Sequence, residues 1–192
     1  LGYNYRMDEM SAALGYCQMT RLDEILDKRK SAADRYRKLF EGNSFFVCPT
    51  VPDYVTRESW FVYVVRINIA WISKLLGLPN WISTYQMPDI IEHKNREEWY
   101  TYLKKARTVL DSLLEKLSKK GVQARNYFSP VHLQKFYKDL YGYEEGDFPY
   151  TELTSCLTVA IPFFSNITLE QQEYVVKSIT ESALELQNEV HG

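Results

Sequence analysis

The sequence predicts an α+β fold, a small and mostly antiparallel sheet covered by helices. Three observations carry that reading. The stretch Trp60-Phe61-Val62-Tyr63-Val64-Val65-Arg66-Ile67 is almost wholly β-branched or aromatic, which suits a pleated strand. It is apolar on both faces as far as Arg66, so both faces are expected to be buried. Two later stretches, Leu103–Leu117 and Val175–Leu186, place apolar residues at the period of about 3.6 that marks one face of a helix. The elements follow as long helix, strand, insertion, helix, strand, short helices, strand and helix, an order that suggests a few strands beneath a helical cover.

The chain opens on a polar-aromatic segment, Leu1-Gly2-Tyr3-Asn4-Tyr5-Arg6, and runs into a long helical pattern. Met10, Leu14, Cys17, Leu22, Ile25 and Leu26 recur on one helical face, with Asp8 and Glu9 in the first turn, where the helix dipole favours negative charge. Ala12, Ala13 and Gly15 leave little bulk on part of that surface, so another backbone can approach it closely. The pattern exceeds the usual globular helix of about 8–20 residues. Either the helix bends near Lys28–Ala32, or it spans most of the domain and meets something beyond it. Gly42 and Asn43 read as its stop. Phe45-Phe46-Val47-Cys48, ended by Pro49, is a candidate edge strand, and Pro52–Glu58 is a loop. The Trp60–Ile67 strand is expected to lie between Val122–Phe128 and Leu157–Ile161.

Residues 70–106 read as an inserted helical subdomain, with three roles open to it: carrying its own small core, the reading favoured here, extending a dimer interface, or shaping a substrate pocket. Trp71, Ile72, Leu75 and Leu76 make a short amphipathic helix stopped by Gly77 and Pro79, and Trp81, Tyr85, Trp99, Tyr100 and Tyr102 add a heavy aromatic load. The helix carrying Leu103, Ala106, Leu110, Leu113, Leu114 and Leu117 closes on Lys119, Lys120 and then Gly121 at C′. Ser129–Leu133 is a turn into a short helix near Phe136–Tyr141, Gly142–Pro149 is a loop, and Thr151–Cys156 makes one or two helical turns. Pro162 ends the last strand. Thr168 and Gln171 form a capping box ahead of the final helix, whose buried face is Val175, Ile179, Ala183 and Leu186.

Composition excludes several classes of function. With 192 residues and 45% hydrophobic content, the chain can bury a sizeable core and is not disordered. A net charge of −2 gives no electrostatic reason to bind nucleic acid. No apolar run reaches the roughly 18 residues of a membrane span. The three cysteines, Cys17, Cys48 and Cys156, are far apart and lack a Cys-x-x-Cys spacing, so neither zinc nor a disulfide framework is indicated; at apolar positions they read as core packing. A reducing cytoplasm is the expected compartment. The chain starts on Leu1, inside a patterned segment, and reads as a piece of a longer protein. Its aromatic content of 15% suggests surface that meets parts beyond these residues.

The segment Leu1-Gly2-Tyr3-Asn4-Tyr5-Arg6-Met7, followed by Ala12-Ala13-Leu14-Gly15, Gln18 and Leu22-Asp23, resembles the DegT/DnrJ/StrS family of pyridoxal-phosphate-dependent sugar aminotransferases, in the part that leads out of the cofactor domain. Three later stretches fit in the same order. Gly121-Val122-Gln123-Ala124-Arg125 before Tyr127–Gln134 is similar to the family's strand and proline-histidine turn. Gly146-Asp147-Phe148-Pro149 with Glu152 resembles the segment after it, and Leu157–Pro162 with Thr168 and Gln171 the closing strand and helix. Each match alone is weak; four in order over most of the chain are strong. The resemblance covers 1–69 and 107–190, and 70–106 look like an addition that typical members lack or keep short. It implies that residues 1–192 are the C-terminal small domain of a fold-type I aminotransferase.

On the residues alone, Asn4 starts a turn, Arg6 is a solvated charge, and His132 is a half-buried, hydrogen-bonded histidine. The resemblance implies more. Two subunits of a homodimer build each active site, and Asn4 reaches across to the partner's cofactor phosphate, which its amide can donate to while Arg6 adds positive charge. His132 lies near the substrate entrance and contacts the sugar nucleotide. His93 and His191 receive no role. Transamination also needs a lysine amine to hold and release pyridoxal phosphate. The resemblance places that lysine upstream of Asn4, and Lys94, Lys104 and Lys105 read as solvent-facing. The chain is therefore expected to be inactive by itself, with no catalytic residue of its own. In the whole protein, an amino-acid donor, usually glutamate, would aminate a nucleotide-linked keto-sugar. Two other readings stay open: a same-fold sugar dehydratase, with histidine in place of the lysine, and a non-catalytic interaction or regulatory domain.

Overall fold

The computed structural model describes residues 3, 5–77 and 96–191. Two helices open the chain, α1 (Glu9–Met19) and α2 (Leu22–Leu39). Strands β1 (Phe46–Val47) and β2 (Tyr63–Ile67) follow, then α3 (Ile69–Leu75) and the long α4 (Arg96–Lys119). Next come β3 (Arg125–Asn126), a 3-10 turn (Val131–Leu133), α5 (Lys135–Tyr141), α6 (Pro149–Leu157), β4 (Thr158–Ile161) and α7 (Leu169–His191). The strands form one antiparallel sheet in the order β1-β2-β4-β3. The α+β architecture expected from the sequence is thus present.

The sheet is covered unevenly. Tyr63 lies opposite Ile161 and Val65 opposite Val159. These residues, with Ile67, share one core with Leu110, Leu113 and Leu117 of α4 and Ile179 and Ala183 of α7. Val64 and Arg66, pointing the other way, are only half-buried. The expectation that this strand is buried on both faces is therefore corrected, because the helical cover meets the Tyr63–Val65–Ile67 face. The strand also starts late: Trp60 adopts φ 46, a left-handed conformation that interrupts the pleat. Its second neighbour is β1. The Val122–Phe128 segment does not reach β2; its strand β3 pairs beyond β4, where the Asn126 amide donates to the carbonyls of Ser155 (2.6 Å) and Thr158 (3.1 Å).

The opening helical pattern is two helices, and the break falls at Thr20–Arg21 rather than at Lys28–Ala32. Thr20 Oγ1 donates to the Cys17 carbonyl at 2.9 Å, closing the last turn of α1. Arg21 leaves helical geometry at φ −112, ψ 12 and reaches forward to Glu24. Helix α2 buries Ala32, Ala33 and Tyr36, whereas α1 buries nothing; Met10 is 84% exposed and Leu14 64%. Cys17 is exposed, so its expected place in the core is also corrected; Cys48 is half-buried and Cys156 buried.

The 70–106 stretch is continuous with the domain where it is described. Trp71, Ile72, Leu75, Trp99 and Tyr102 join the same core as the sheet and make no separate one. Trp71 Nε1 donates to Gln187 Oε1 at 2.9 Å, fastening α3 to α7. Helix α4 runs unbroken through residue 106. Residues 78–95, with Trp81, Tyr85 and His93, lie outside the described residues.

Local signals fix the helix ends. Thr168 and Gln171 exchange the two bonds of the capping box, at 3.0 and 3.2 Å. Gly121, at φ 74, lets the Val122 amide turn back to the Leu117 carbonyl at 2.9 Å after α4. Buried polar bonds then tie α2 to the rest: Tyr36 Oη donates to the Pro162 carbonyl at 2.7 Å, and Gln172 Nε2 to that of Ala32 at 2.8 Å. On the surface, Lys116 of α4 and Lys120 just after it pair with Glu181, Glu185 and Glu189 of α7.

Leu113→Ala is expected to cost about 2–5 kcal/mol in urea unfolding, because Leu113 is fully buried between α4 and the sheet. The hydrogen bond and charge of Lys120 hold Glu185 below the usual carboxylate range. A carboxylate depressed on folding stabilises above its unfolded value and ceases to do so as pH falls through its folded one. The thermal-midpoint difference between wild type and Glu185→Gln is therefore expected to be present at neutral pH, to shrink with added salt, and to vanish in acid.

Candidate functional site

The site is built where the 3-10 turn, the loop before α6 and the first turn of α6 meet. Pro130 presets the turn, and the Leu133 amide closes it onto the Pro130 carbonyl at 3.2 Å. This points His132 inward, at 8% exposure, while Val131 stays outside. The ring of His132 lies 4.7 Å from that of Phe148 and 6.3 Å from that of Tyr143. Its Nε2 sits 3.1 Å from Glu152 Oε1. An ionised carboxylate only accepts, so in this pair Nε2 donates.

Glu152 is 3% exposed, and a carboxylate so buried must have its oxygens satisfied. The Gly146 amide donates to both of them, at 2.8 and 3.0 Å, and the Phe148 amide reaches Oε1 at 3.4 Å. Pro149 starts α6, leaving Glu152 in the first turn, where the helix dipole adds a favourable field. The loop is shaped to deliver those amides. Asp147 Oδ2 accepts from the Glu144 amide at 2.9 Å, and Gly146 sits at φ 95, where side chains are strained. A Cβ on Gly146 would also lie 2.8 Å from Tyr100 Oη. The Tyr100 hydroxyl itself donates to the Glu145 carbonyl, joining α4 to the loop.

Beside this knot lies a cleft of about 400 Å³ between α4, the turn and α6, walled by Tyr100, Leu103, Arg107, Pro130, Leu133 and Cys156 among others. Arg107 bonds Asn126 Oδ1 at 3.1 Å and the Ser155 carbonyl at 3.4 Å, fixing the cleft floor to β3. Burial pushes the Cys156 thiol up, so it stays protonated and is a poor nucleophile. No metal-holding group of three or more His, Cys, Asp or Glu occurs among the described residues. Every described lysine is exposed or ion-paired, so none occupies the desolvated setting of a Schiff-base amine. The arrangement can hold and shape a binding rim; it has no nucleophile–base pair at His132.

The residues picked from the sequence are distributed as follows. His132 is in the buried knot. Arg6 is in the exposed segment that leads into α1, where Asp8 caps the helix by accepting from the Ser11 amide at 2.9 Å. Asn4 and Lys94 lie outside the described residues. Sequence reasoning counted Tyr100 only among the aromatic residues of 70–106, and it left Glu152 without a partner. The Pro149-to-Glu152 spacing signals an acidic first turn, but nothing local pairs it with a histidine 20 positions earlier.

Comparison with known proteins gives the family. The model of the DegT/DnrJ/EryC1/StrS aminotransferase family matches residues 1–78 and 80–180, and the chain belongs to that family. The spore coat polysaccharide biosynthesis protein SpsC of Bacillus subtilis is 25% identical over 180 residues, 94% of this chain and 38% of SpsC. The UDP-4-amino-4-deoxy-L-arabinose--oxoglutarate aminotransferase of Shewanella sediminis is 26% identical over 184 residues, 94% of this chain and 39% of that enzyme. Among solved structures, the PMP form of the putative sugar aminotransferase Spr1654 from Streptococcus pneumoniae superposes with a TM-score of 0.74 at 17% identity, over 100% of this chain and 39% of that one, a likeness of fold. The chain thus spans about two-fifths of the length of the relatives it matches.

Glu152→Gln replaces one acceptor with a donor facing backbone amides, and is expected to destabilise by about 1–3 kcal/mol. His132→Ala is expected to cost a similar amount. In urea unfolding the double variant should lose less than the sum, since the two side chains share one bond.

Proposed function

We propose that this member of the DegT/DnrJ/EryC1/StrS family is the C-terminal part of a pyridoxal-phosphate-dependent aminotransferase acting on a nucleotide-linked keto-sugar, with an amino acid as donor. The observation that carries this reading is the family match along residues 1–78 and 80–180, by a chain about two-fifths as long as its relatives. The substrate class rests on the name of the Shewanella sediminis relative, which specifies a UDP-linked amino sugar and oxoglutarate. When bound, pyridoxal phosphate supplies the electron sink for moving an amino group. This chain's described lysines do not fit its aldehyde end. That mismatch supports the view that the chain is inactive by itself.

The chain's contribution is to bind and to shape. Asn4 donates its side-chain amide to the cofactor phosphate across a homodimer interface, and Arg6 adds positive charge beside it. The exposed approach to α1 supports this role: Tyr5, Met7 and Met10 offer apolar surface, 75–89% exposed, for a second subunit to cover. His132 stands at the substrate mouth, its buried ring holding the rim that the sugar nucleotide meets. The cytoplasm is the proposed compartment, in keeping with three free cysteines and no described helix long and apolar enough to cross a membrane.

In the full-length protein, Asn4→Ala is expected to weaken retention of pyridoxal phosphate about tenfold, read by equilibrium dialysis against the cofactor's visible absorbance. Retention as tight as wild type would remove Asn4 from the phosphate site. The 192-residue chain alone should show no transamination, and turnover by it would overturn the reading.

A further inference from the structure

We infer that Tyr100 is a positioning residue for the substrate rim, setting the height of loop 143–148 and through it the place of His132 and Phe148. The functional half of this inference rests on the reading that the rim meets a nucleotide-linked sugar. Tyr100 lies near the start of α4, in the 70–106 stretch whose role the sequence leaves open. Its hydroxyl donates to the Glu145 carbonyl. The next residue, Gly146, is buried, although Glu144, Glu145 and Asp147 around it are exposed. The loop therefore dips toward α4 at one point, and Tyr100 meets it there. The contact is close: a Cβ on Gly146 would come within 2.8 Å of Tyr100 Oη. From Gly146 the linkage continues without a gap. Its amide donates to both oxygens of Glu152, and Glu152 Oε1 meets His132 Nε2 at 3.1 Å.

Two features make Tyr100 the adjustable part of this linkage. Glu152 is enclosed and holds the loop, the helix and the turn together, so changing it disturbs all three. Tyr100 is half-buried and touches the loop from outside, so its loss loosens the loop at Gly146, whose amide then opens from Glu152 more often, while Glu152 keeps its contact with His132. Tyr100 also forms a wall of the cleft of about 400 Å³ that faces Pro130 and Leu133, within the volume range of ligand pockets. A shift of the loop would change the cleft and the rim together, without touching any group that carries chemistry.

The first test uses amide hydrogen exchange on the chain itself. Tyr100→Phe should speed exchange of the Gly146 amide about five- to tenfold while the core amides of β2 and β4 stay unchanged. Unchanged Gly146 exchange would overturn the latch. Gly146→Ala should accelerate exchange more in the wild-type background than in the Tyr100→Phe background, since removing Oη removes the clash; equal effects would also overturn it. The second test measures steady-state kinetics of the full-length protein, with UDP-4-amino-4-deoxy-L-arabinose and oxoglutarate as probes. Tyr100→Phe should raise KM for the sugar about fivefold and leave kcat within about twofold. An equal fall in kcat at unchanged KM would overturn the positioning role. A wild-type protein that transaminates no nucleotide-linked sugar would sink the proposed function instead, and the exchange experiment would still decide the latch.

Discussion

A carboxylate taken out of water holds its surroundings to a narrow set of geometries. The idealised cost of burying such an ion is large, and several kcal/mol remain after relaxation. Glu152 is buried to 3% exposure, so the chain must bring donors to it, and it does so from two directions. The loop contributes the amides of Gly146 and Phe148, and the 3-10 turn contributes His132. These donors sit on separate segments that meet only in the folded chain. Through these bonds the carboxylate links the turn, the loop and the start of α6.

The rest of the fold supports that knot from behind. Arg107 and Asn126 tie α4 and β3 to the Ser155 carbonyl, one turn along α6 from Glu152. Helix α4 in turn is anchored by Leu110, Leu113 and Leu117 in the core and by Lys116 and Lys120 against α7. The contributions differ in kind. Apolar burial supplies most of the stabilisation, while the exposed ion pairs add little and serve mainly to set alignment. At the other end of the chain, α1 takes no part in this scaffold. Its apolar residues are outside the core.

Much of the architecture is legible in the sequence, for identifiable reasons. The stripes on α4 and α7 are readable because an amphipathic helix advertises its buried face by period alone. The stops at Gly42 and Gly121 are readable because few other residues favour the positive φ they adopt, and the cap at Thr168 because its side-chain oxygen can accept from the Gln171 amide. The pairing of β1 with β2 is not, because two-residue strands carry almost no pattern. The same limit misplaces Val122–Phe128 beside β2: composition can nominate a strand but cannot choose its neighbour. For the site, His132 and the Gly146–Glu152 segment are each visible, but their contact is not.

The sequence by itself determined most of the elements, the stops at Gly42 and Gly121, the cap at Thr168 and the family resemblance, since these depend on residue type and near spacing. Tertiary structure alone decided three things. It turned the strip of apolar residues on α1 outward, placed the aromatic residues Trp99 and Tyr102 in the common core, and joined Tyr100 and His132 through a single loop. The physical reason is the same in each case. Periodicity states which side of an element avoids water, but what covers that side depends on packing among residues far apart in the chain.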